Sequence, residues 1–388
     1  MDIIWHITID ERLLLSSAAF ERGRIMQQTM RAMVLMGHGG LDQLVYHENW
    51  VMPEPKAGEV LIKVSACGLN NTDVNTRTAW YSKSVEDSTT GDAFADADSA
   101  DATWGGAPIT LPRIQGADVC GEVMACGSGT DQSLLGKRVM IDTWLRDWDE
   151  PNNLNKTGYY GSECDGGFAE FTKVDARQVH IVESDMSDAE IATFATSSIT
   201  AENMLNRANV GAADSVLITG ASGGVGSALV QLAKRRGATT IAMASAAKQT
   251  ALQDAVAPDV ILDRAPENLA DALMQATGKD TVSVVADVVG GNGFGQLIDR
   301  LARGGRYTCA GAIAGPMVEM DLRTFYLRDL TFTGATIVPV GIFANLVGYI
   351  NRGEIKPLPA ETYPLEALRD AQQSFIDKAH IGNIVVQP

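Results

Sequence analysis

Short apolar runs alternate with helical patterns through the C-terminal half of the chain. The apolar runs, each of strand length, occupy residues 215–219, 238–244, 259–263, 281–289 and 305–311. Helical periodicity begins near Gly224 after the first run and covers residues 248–254 after the second. Because buried strands that alternate with helices form parallel sheets, the pattern predicts a doubly wound α/β domain.

The preceding part of the chain has a different pattern. From residue 30 to about residue 182 it reads as short strands and turns, with alternation over 59–66 and a further β unit over 136–141. After the α/β pattern, the chain returns to a helix and then to a strand at 384–386. We therefore predict a second, mainly β domain that the C-terminal strand rejoins.

A glycine-rich turn joins the first apolar run to the first helix of the α/β pattern. Ala221, Gly223 and Gly226 occupy the three positions where a dinucleotide-binding turn needs small residues, because the backbone approaches a pyrophosphate there. The helix that follows directs its N–H groups at the phosphates. A turn that is glycine-rich for packing alone is the alternative. The surrounding alternation favours a dinucleotide site, with contacts at Ala221, Ser222, Gly223, Gly224, Val225 and Gly226.

The end of the second strand distinguishes NAD from NADP. An acidic residue about 20 positions beyond the glycines would bind the ribose 2′-hydroxyl of NAD. The chain has Ser245 and Lys248 in this region and no acid at the turn. A hydroxyl and a cation suit a 2′-phosphate, so we predict NADPH as the cofactor. In the alternative interpretation, Ser245 is only an N-cap and Lys248 is only a solvated helix residue.

Composition narrows the class of protein. With 388 residues, 45% of them hydrophobic, the chain can form two domains with substantial cores. A net charge of −17 argues against nucleic acid and anionic membranes as partners. The sequence has no apolar run of about 18 residues and no signal-peptide pattern. Its five cysteines form no CxxC pair. We expect a cytoplasmic protein that acts on a small molecule.

Two segments lie outside the periodic pattern. Residues 1–29 show no regular period and are expected to be a disordered extension, with Met30 as a candidate natural start. Residues 82–106 accumulate acidic side chains among Ala, Ser and Thr, which is typical of an insertion. Trp80, Tyr81 and Trp104 are candidates for a lid over a substrate. The alternative is an exposed acidic loop without ligand contacts.

An ordered series of motifs resembles the medium-chain dehydrogenase/reductases, and among them the zinc-free quinone oxidoreductases. The motifs lie at residues 66–73, 115–123, 136–139, 165–170, 221–226, 287–291 and 382–386. The resemblance implies a GroES-like β-rich domain over 30–182 and 342–388. It implies a Rossmann NADP-binding domain over 183–341, with the active site in the cleft between the two.

The resemblance also implies contacts that the pattern alone does not give. It adds Val288, Gly311 and Asn383 to the predicted cofactor-binding residues. It further implies a homodimer that forms through the apolar edge at residues 332–340 of the nucleotide domain.

The positions of the zinc ligands differ from those of the zinc alcohol dehydrogenases of this family. Those enzymes have a Cys-His pair before Thr-Asp, a Gly-His-Glu motif, and a Cys before the nucleotide domain. This chain has Asn70-Asn71, Gly116-Ala117-Asp118 and, by approximate register, Thr196. Zn²⁺ needs thiolate, imidazole or carboxylate ligands in a set of three, so we predict no catalytic zinc.

The motif at residues 70–73 supplies the candidate catalytic residues. By resemblance, the Asn70 amide faces the nicotinamide and holds the acceptor oxygen, while Thr72 and Asp73 orient it. The alternative is that the Asn-rich turn only ends a strand and caps a helix near Thr72. Tyr46 and Tyr160 are candidates for a proton donor, the alternatives being that they are packing aromatic residues near the cleft and that solvent supplies the proton.

Three functions follow. The first is an NADPH-dependent, zinc-independent oxidoreductase that transfers a hydride to a quinone or an α,β-unsaturated carbonyl, which are electrophilic without a Lewis acid. The second is a non-catalytic NADPH-binding protein on the same scaffold. The third is an oxidoreductase of the alcohol or aldehyde dehydrogenase type, which lacks its zinc ligands here.

Overall fold

The computed structural model describes residues 28–89 and 97–388. The predicted N-terminal extension therefore lies outside the described residues except for its last two positions. Residues 90–96 of the acidic insertion lie outside them too. Within the described ranges, no helix is both long and apolar enough to cross a membrane.

The secondary structure agrees with the predicted order. The strands are β1 (Thr29–Leu35), β2 (Leu44–Val51), β3 (Glu59–Gly68), β4 (Asp118–Cys126), β5 (Arg138–Ile141), β6 (Trp144–Arg146), β7 (Thr157–Tyr159), β8 (Phe171–Asp175), β9 (Val179–Ile181), β10 (Ser215–Ile218), β11 (Thr239–Ala244), β12 (Val260–Asp263), β13 (Val282–Asp287), β14 (Leu301–Cys309), β15 (Thr331–Gly334), β16 (Pro359–Pro364) and β17 (Asn383–Gln387). The α-helices are α1 (Asn71–Arg77), α2 (Asp188–Ile191), α3 (Ala195–Arg207), α4 (Gly224–Arg235), α5 (Ala246–Val256), α6 (Leu269–Thr277), α7 (Phe294–Asp299), α8 (Leu322–Leu327), α9 (Ile342–Asn351) and α10 (Leu368–Asp377). Single 3-10 turns lie at Leu41–Gln43, Ser99–Asp101, Gln132–Leu134, Leu154–Lys156, Ala176–Gln178, Gly291–Gly293 and Leu365–Ala367.

The α/β half is a parallel sheet in the order β12-β11-β10-β13-β14-β15. Its pairs are parallel throughout, from Leu217 opposite Ile241 to Tyr307 opposite Phe332. The strand order reverses between β10 and β13, which is the doubly wound arrangement that places a ligand at the carboxyl ends of these strands. The predicted α/β class and Rossmann-type domain are confirmed.

The β-rich half is built around β3. This strand pairs antiparallel with β4, β8 and β17, and β4 continues to β5 and β9. The pairing of Val385 with Gly68 confirms that the C-terminal strand rejoins the β half. Buried apolar side chains from β3, β4 and β17, such as Ile62, Val119 and Ile384, form its core.

Two elements bear on the predicted boundaries and the predicted dimer. Helix α9 packs on α3 and contacts β9 of the other half, so the boundary placed at residue 342 stays a prediction. Strand β15 ends the parallel sheet and pairs there with β14. An edge strand of this kind is what a homodimer through residues 332–340 requires, and the homodimer also stays a prediction.

The glycine turn after β10 packs closely on the first turn of α4. A Cβ atom on Gly226 would lie 2.2 Å from the Gly220 carbonyl oxygen and 2.6 Å from the Ala221 Cα. A Cβ atom on Gly223 would meet its nearest neighbour at 3.6 Å, an ordinary contact. Gly226 therefore allows the close helix–strand approach, whereas Gly223 leaves space.

We expect Gly226→Ala to lower the free energy of unfolding by about 1–3 kcal/mol, because backbone atoms block the new methyl group and the helix must shift. Thermal unfolding followed by circular dichroism measures the loss. Gly223→Ala is the matched control and should unfold close to the wild-type temperature. Equal unfolding temperatures for all three proteins would contradict the packing role of Gly226.

Candidate active site

A cavity of about 240 Å³ lies between the two halves of the chain. Many of the predicted site residues line it: Asn70, Thr72, Gly223, Gly224, Val225, Gly226, Val288, Gly311 and Asn383. Five further predicted site residues are not part of the lining: Asp73, Ala221, Ser222, Ser245 and Lys248. The structure thus brings the Asn70 motif and the glycine turn, about 150 residues apart in sequence, to one cavity.

Asp287 organises the switch point of the parallel sheet. Its carboxylate accepts hydrogen bonds from the Thr219 hydroxyl at 2.6 Å and the Tyr307 hydroxyl at 2.8 Å. It also accepts from the backbone N–H of Val289 at 2.8 Å. These bonds tie the ends of β10, β13 and β14 together, so the loops that carry Val288 and the glycine turn are fixed next to each other.

The glycine turn forms a cradle that suits a dinucleotide. Helix α4 starts at Gly224 with no side chain capping its first turn, so its N-terminal N–H groups point to the cavity without a competing partner. A Cβ atom on Gly224 would lie 2.8 Å from the Asn383 amide nitrogen. The Gly382 N–H donates to the Ser222 carbonyl at 3.1 Å. The segment before β17 therefore forms the second wall of the cradle.

A cationic group lies beside this cradle, and sequence reasoning missed most of it. The Lys378 ammonium donates to the Asn71 side-chain oxygen at 2.8 Å, and burial lowers the pKa of Lys378 to about 8. His380 lines the cavity with Lys378. Both come from the turn between α10 and β17, and only the pairing of β17 with β3 brings them to the glycine turn.

The two residues predicted to select NADP lie at the outer side of the cradle. Ser245 is the N-cap residue of α5, although its side chain makes no capping bond. The Lys248 ammonium donates to the carbonyl oxygens of Lys378, at 2.5 Å, and His380, at 2.7 Å. Lys248 is thus a bound side chain that fastens the cationic turn to α5, and its role toward a 2′-phosphate stays a prediction.

Asn70 follows β3, is the N-cap residue of α1 and lines the cavity. Its backbone N–H donates to Asp73 Oδ2 at 2.8 Å, one half of a capping box. Its side-chain Nδ2 is buried and has no hydrogen-bond partner among the described residues. The capping and ligand-binding interpretations are compatible, because the backbone N–H serves the helix, whereas the side-chain amide lies beside the Asp118 carboxyl and lowers its pKa. Thr72 lines the same wall.

Asp73 stabilises the turn at Asn70 through hydrogen bonds. Its backbone carbonyl accepts a hydrogen bond from the Gln115 amide at 3.0 Å. Burial, and the nearby Asp118 carboxyl to a lesser degree, raise the pKa of Asp73 to about 7. Asp73 therefore acts on Asn70 through the helix cap, away from the cavity surface.

The three segments that carry the zinc ligands in the zinc enzymes meet at one point. The Asp118 carboxylate accepts hydrogen bonds from the Thr196 hydroxyl and, at 3.0 Å, from the Thr196 backbone N–H. Asn70 lies close enough to lower the pKa of Asp118, although burial outweighs it and raises that pKa to about 6. The described parts of the chain contain no group of three or more His, Cys, Asp and Glu side chains placed to bind a metal. Asparagine, aspartate and threonine form a hydrogen-bonded cluster that does not fit zinc.

Aromatic side chains form the opposite end of the cavity. The members that line it are Trp80, Tyr81, Trp104, Trp144 and Tyr159. Trp144 makes edge-on contacts with Trp104, at 5.0 Å between ring centroids, and with Tyr159, at 5.3 Å. Rings set edge-on to one another present both ring faces and ring edges, so the wall is mainly apolar.

The described parts of the acidic insertion support the aromatic wall. The Trp80 indole N–H donates to the Asp87 carbonyl at 2.8 Å, and the Trp104 indole N–H donates to Glu163 at 3.2 Å. The Thr89 backbone N–H donates to the Ile313 carbonyl at 3.1 Å, which joins the insertion to the nucleotide half. The described residues of the insertion therefore contact both halves of the chain beside the cavity, and the lid stays a prediction.

The tyrosines at the cavity differ from those named from the sequence. Tyr160 is fully buried in the β core, where its hydroxyl bonds to Thr172. Tyr46 packs against the same core from β2. Tyr81 and Tyr159 line the cavity instead. Neighbouring residues of a strand point to opposite faces, so the Tyr159-Tyr160 pair was a signal that one of the two could face the cleft.

Family models match both halves of the chain. The model for the alcohol dehydrogenase GroES-like domain matches residues 56–184. The model for zinc-binding dehydrogenases matches residues 224–351. The two models follow each other in the order of the β-rich and parallel-sheet halves.

Individual proteins resemble the chain over nearly its whole length. The crystal structure of a "putative alcohol dehydrogenase" from Sinorhizobium meliloti 1021 has 42% sequence identity and a TM-score of 0.84, covering 93% of this chain and 97% of that one. The chloroplastic NADPH-dependent alkenal/one oxidoreductase of Arabidopsis thaliana is 27% identical over 92% of this chain and 80% of its own length. The quinone oxidoreductase of Rattus norvegicus is 24% identical over 90% of this chain and 95% of its own length.

We expect the purified protein to hold far less than one zinc ion per chain, because amide and hydroxyl side chains do not replace thiolate and imidazole. Metal content after dialysis against zinc, measured by plasma mass spectrometry, tests this. The triple variant Asn70→Cys, Ala117→His and Thr196→Cys restores the missing donor types and serves as the positive control. Stoichiometric zinc in the wild-type protein would show that the ligand analysis is wrong.

Proposed function

The chain belongs to the medium-chain dehydrogenase/reductase superfamily, and from this premise we propose that it is an NADPH-dependent, zinc-independent oxidoreductase of quinones or α,β-unsaturated carbonyls. The observation that carries the proposal is Asn70, which lines the cavity and whose buried side-chain nitrogen makes no hydrogen bond of normal geometry among the described residues. It offers a neutral hydrogen-bond donor at the place where zinc enzymes of this family polarise a carbonyl with a metal.

The cradle supports a dinucleotide as the cofactor. The N-terminus of α4 and the turn that ends in Gly226 would hold the pyrophosphate, with Lys378 as a nearby cation. Val288, Gly311 and Asn383 would line the path toward the acceptor. A bound nicotinamide dinucleotide supplies the hydride, and the chain's own residues position the acceptor.

The aromatic end of the cavity supports a flat, uncharged acceptor. Trp104 and Trp144 present rings to the space, and the Lys378 ammonium lies at the cradle end. A quinone or a conjugated ketone can stack on such rings, with its oxygen directed at Asn70. Conjugated acceptors are electrophilic enough to accept a hydride when a hydrogen bond replaces a Lewis acid.

We expect the protein to oxidise NADPH with quinones or enones, in the presence of a chelator, and to prefer NADPH to NADH. Asn70→Ala should lower kcat/KM by about 10²-fold, since one donor to the developing oxyanion is lost. Asn70→Asp keeps the size of the side chain but removes the N–H donor and should be equally slow. Absorbance of the reduced cofactor follows both reactions.

The other functions are outcomes of the same assay. Tight NADPH binding without turnover of any acceptor would favour the non-catalytic binding protein. Turnover limited to alcohols or aldehydes would favour an enzyme of the alcohol dehydrogenase type. Either result would overturn the proposed acceptor class.

The choice of cofactor has its own test. Lys248→Ala should weaken NADPH binding by roughly tenfold, about 1.4 kcal/mol, more than it weakens NADH binding, because only NADPH carries the 2′-phosphate, whereas the lost bonds to the Lys378 turn affect both cofactors. Lys378→Ala is the matched control and should weaken both cofactors alike, since both carry the pyrophosphate. Fluorescence titration gives the dissociation constants. An equal effect of Lys248→Ala on both cofactors would contradict the NADP assignment.

A further inference from the structure

A hydrogen-bonded chain runs from the cavity into the protein at Tyr159. The Tyr159 hydroxyl lies 2.6 Å from the Thr196 hydroxyl oxygen, and the Thr196 hydroxyl donates to Asp118. Tyr159 and Thr196 line the cavity, whereas Asp118 is fully buried. A phenol, an alcohol and a carboxyl group are thus linked from the acceptor space to the interior.

The surroundings of this chain hold it in place. The Trp144 ring packs edge-on against Tyr159. The Thr196 backbone N–H also donates to Asp118 at 3.0 Å, so the carboxyl is fixed by two bonds from one residue. Asp118 Oδ2 has no hydrogen-bond partner among the described residues. Oδ2 of Asp118 is therefore available to bind a proton.

We propose that Tyr159 is the catalytic acid that donates a proton to the acceptor oxygen, with Thr196 and Asp118 as positioning residues that relay the proton to it. This inference rests on the proposed function, because it assigns the proton that must accompany the hydride. The acceptor oxygen would lie between the Tyr159 hydroxyl and the Asn70 amide.

Reduction of an enone or a quinone takes up one hydride and one proton. The acceptor carbon gains a hydride from the reduced dinucleotide, and an electron pair moves to the acceptor oxygen. The Tyr159 O–H bond breaks as the new O–H bond forms on that oxygen. Tyr159 regains a proton from Thr196, and Thr196 regains one from the Asp118 carboxylic acid. After product release, water in the cavity returns a proton to Asp118 along the same chain.

The direction of the relay depends on pH. Burial raises the pKa of Asp118 to about 6 and that of Asp73, its acidic neighbour, to about 7. Cys67 on β3 and Tyr159 are the other titratable groups that feel the Asp118 charge, and burial raises the pKa of both. Below the pKa of Asp118 the chain donates toward the cavity. Above it, the carboxylate accepts from Thr196, so reduction should slow as pH rises.

We expect Tyr159→Phe to lower kcat/KM by about 10²-fold or more, the usual contribution of a general acid, and to abolish the fall in rate between about pH 6 and 7. Thr196→Val should remove the same pH dependence, and Thr196→Ser, which keeps the hydroxyl, should restore it. Tyr160→Phe makes the same chemical change in the core and is the matched control. A Tyr159→Phe profile with the wild-type shape would overturn the proposal.

A measurement without turnover separates this inference from the proposed function. Infrared spectra of carbonyl-¹³C 2-cyclohexen-1-one, bound with oxidised NADP, report the hydrogen bonds to the ketone oxygen. The carbonyl stretch should lie lower in the wild type than in Tyr159→Phe. A Tyr159-dependent shift without catalytic turnover would support Tyr159 as the hydrogen-bond donor and contradict the proposed reductase function. Turnover without such a shift would support the reductase function and contradict the role of Tyr159 as the donor.

Discussion

The hydrogen bonds between Asp118 and Thr196 are the contact on which the cavity depends. Asp118 begins β4 in the β-rich half, and Thr196 lies in the first turn of α3, which packs on α4 of the nucleotide half. The bonds from Thr196 offset the cost of burying a carboxyl group. They also fix the distance between the Asn70 motif and the glycine turn, so the site exists only when the two halves are joined.

The cavity combines a cation, neutral hydrogen-bonding groups and tryptophan rings. Lys378 and His380 lie beside the glycine turn, where a pyrophosphate would bring negative charge. Trp104 and Trp144 lie at the far end, which favours a flat and neutral partner. Between them are neutral hydrogen-bonding groups of Asn70, Thr196 and Tyr159. This order along the cavity matches a reaction that passes a hydride from a charged cofactor to an uncharged acceptor.

Backbone groups of the described insertion residues, more than their carboxylates, connect the acidic insertion to the site. Thr89 reaches the nucleotide half at Ile313, and the indole of Trp80 is held by the Asp87 carbonyl. Asp98 and Asp101 bind backbone N–H groups of the insertion itself, those of Ala100 and Lys83. The carboxylates thus stabilise the loop, and the aromatic residues form the cavity wall.

The sequence by itself determined the two domain types, the glycine turn and the superfamily, because strand and helix periods and glycine positions are local features. It also predicted that Asn70, Ala117 and, by approximate register, Thr196 stand at the positions of the zinc ligands. Only the tertiary structure decided that Tyr159, and not Tyr160, meets the cavity, and that Lys248 binds the turn of Lys378 and His380. These facts depend on which strand face is covered and on the pairing of β17 with β3, and contacts between distant segments leave no periodic signal.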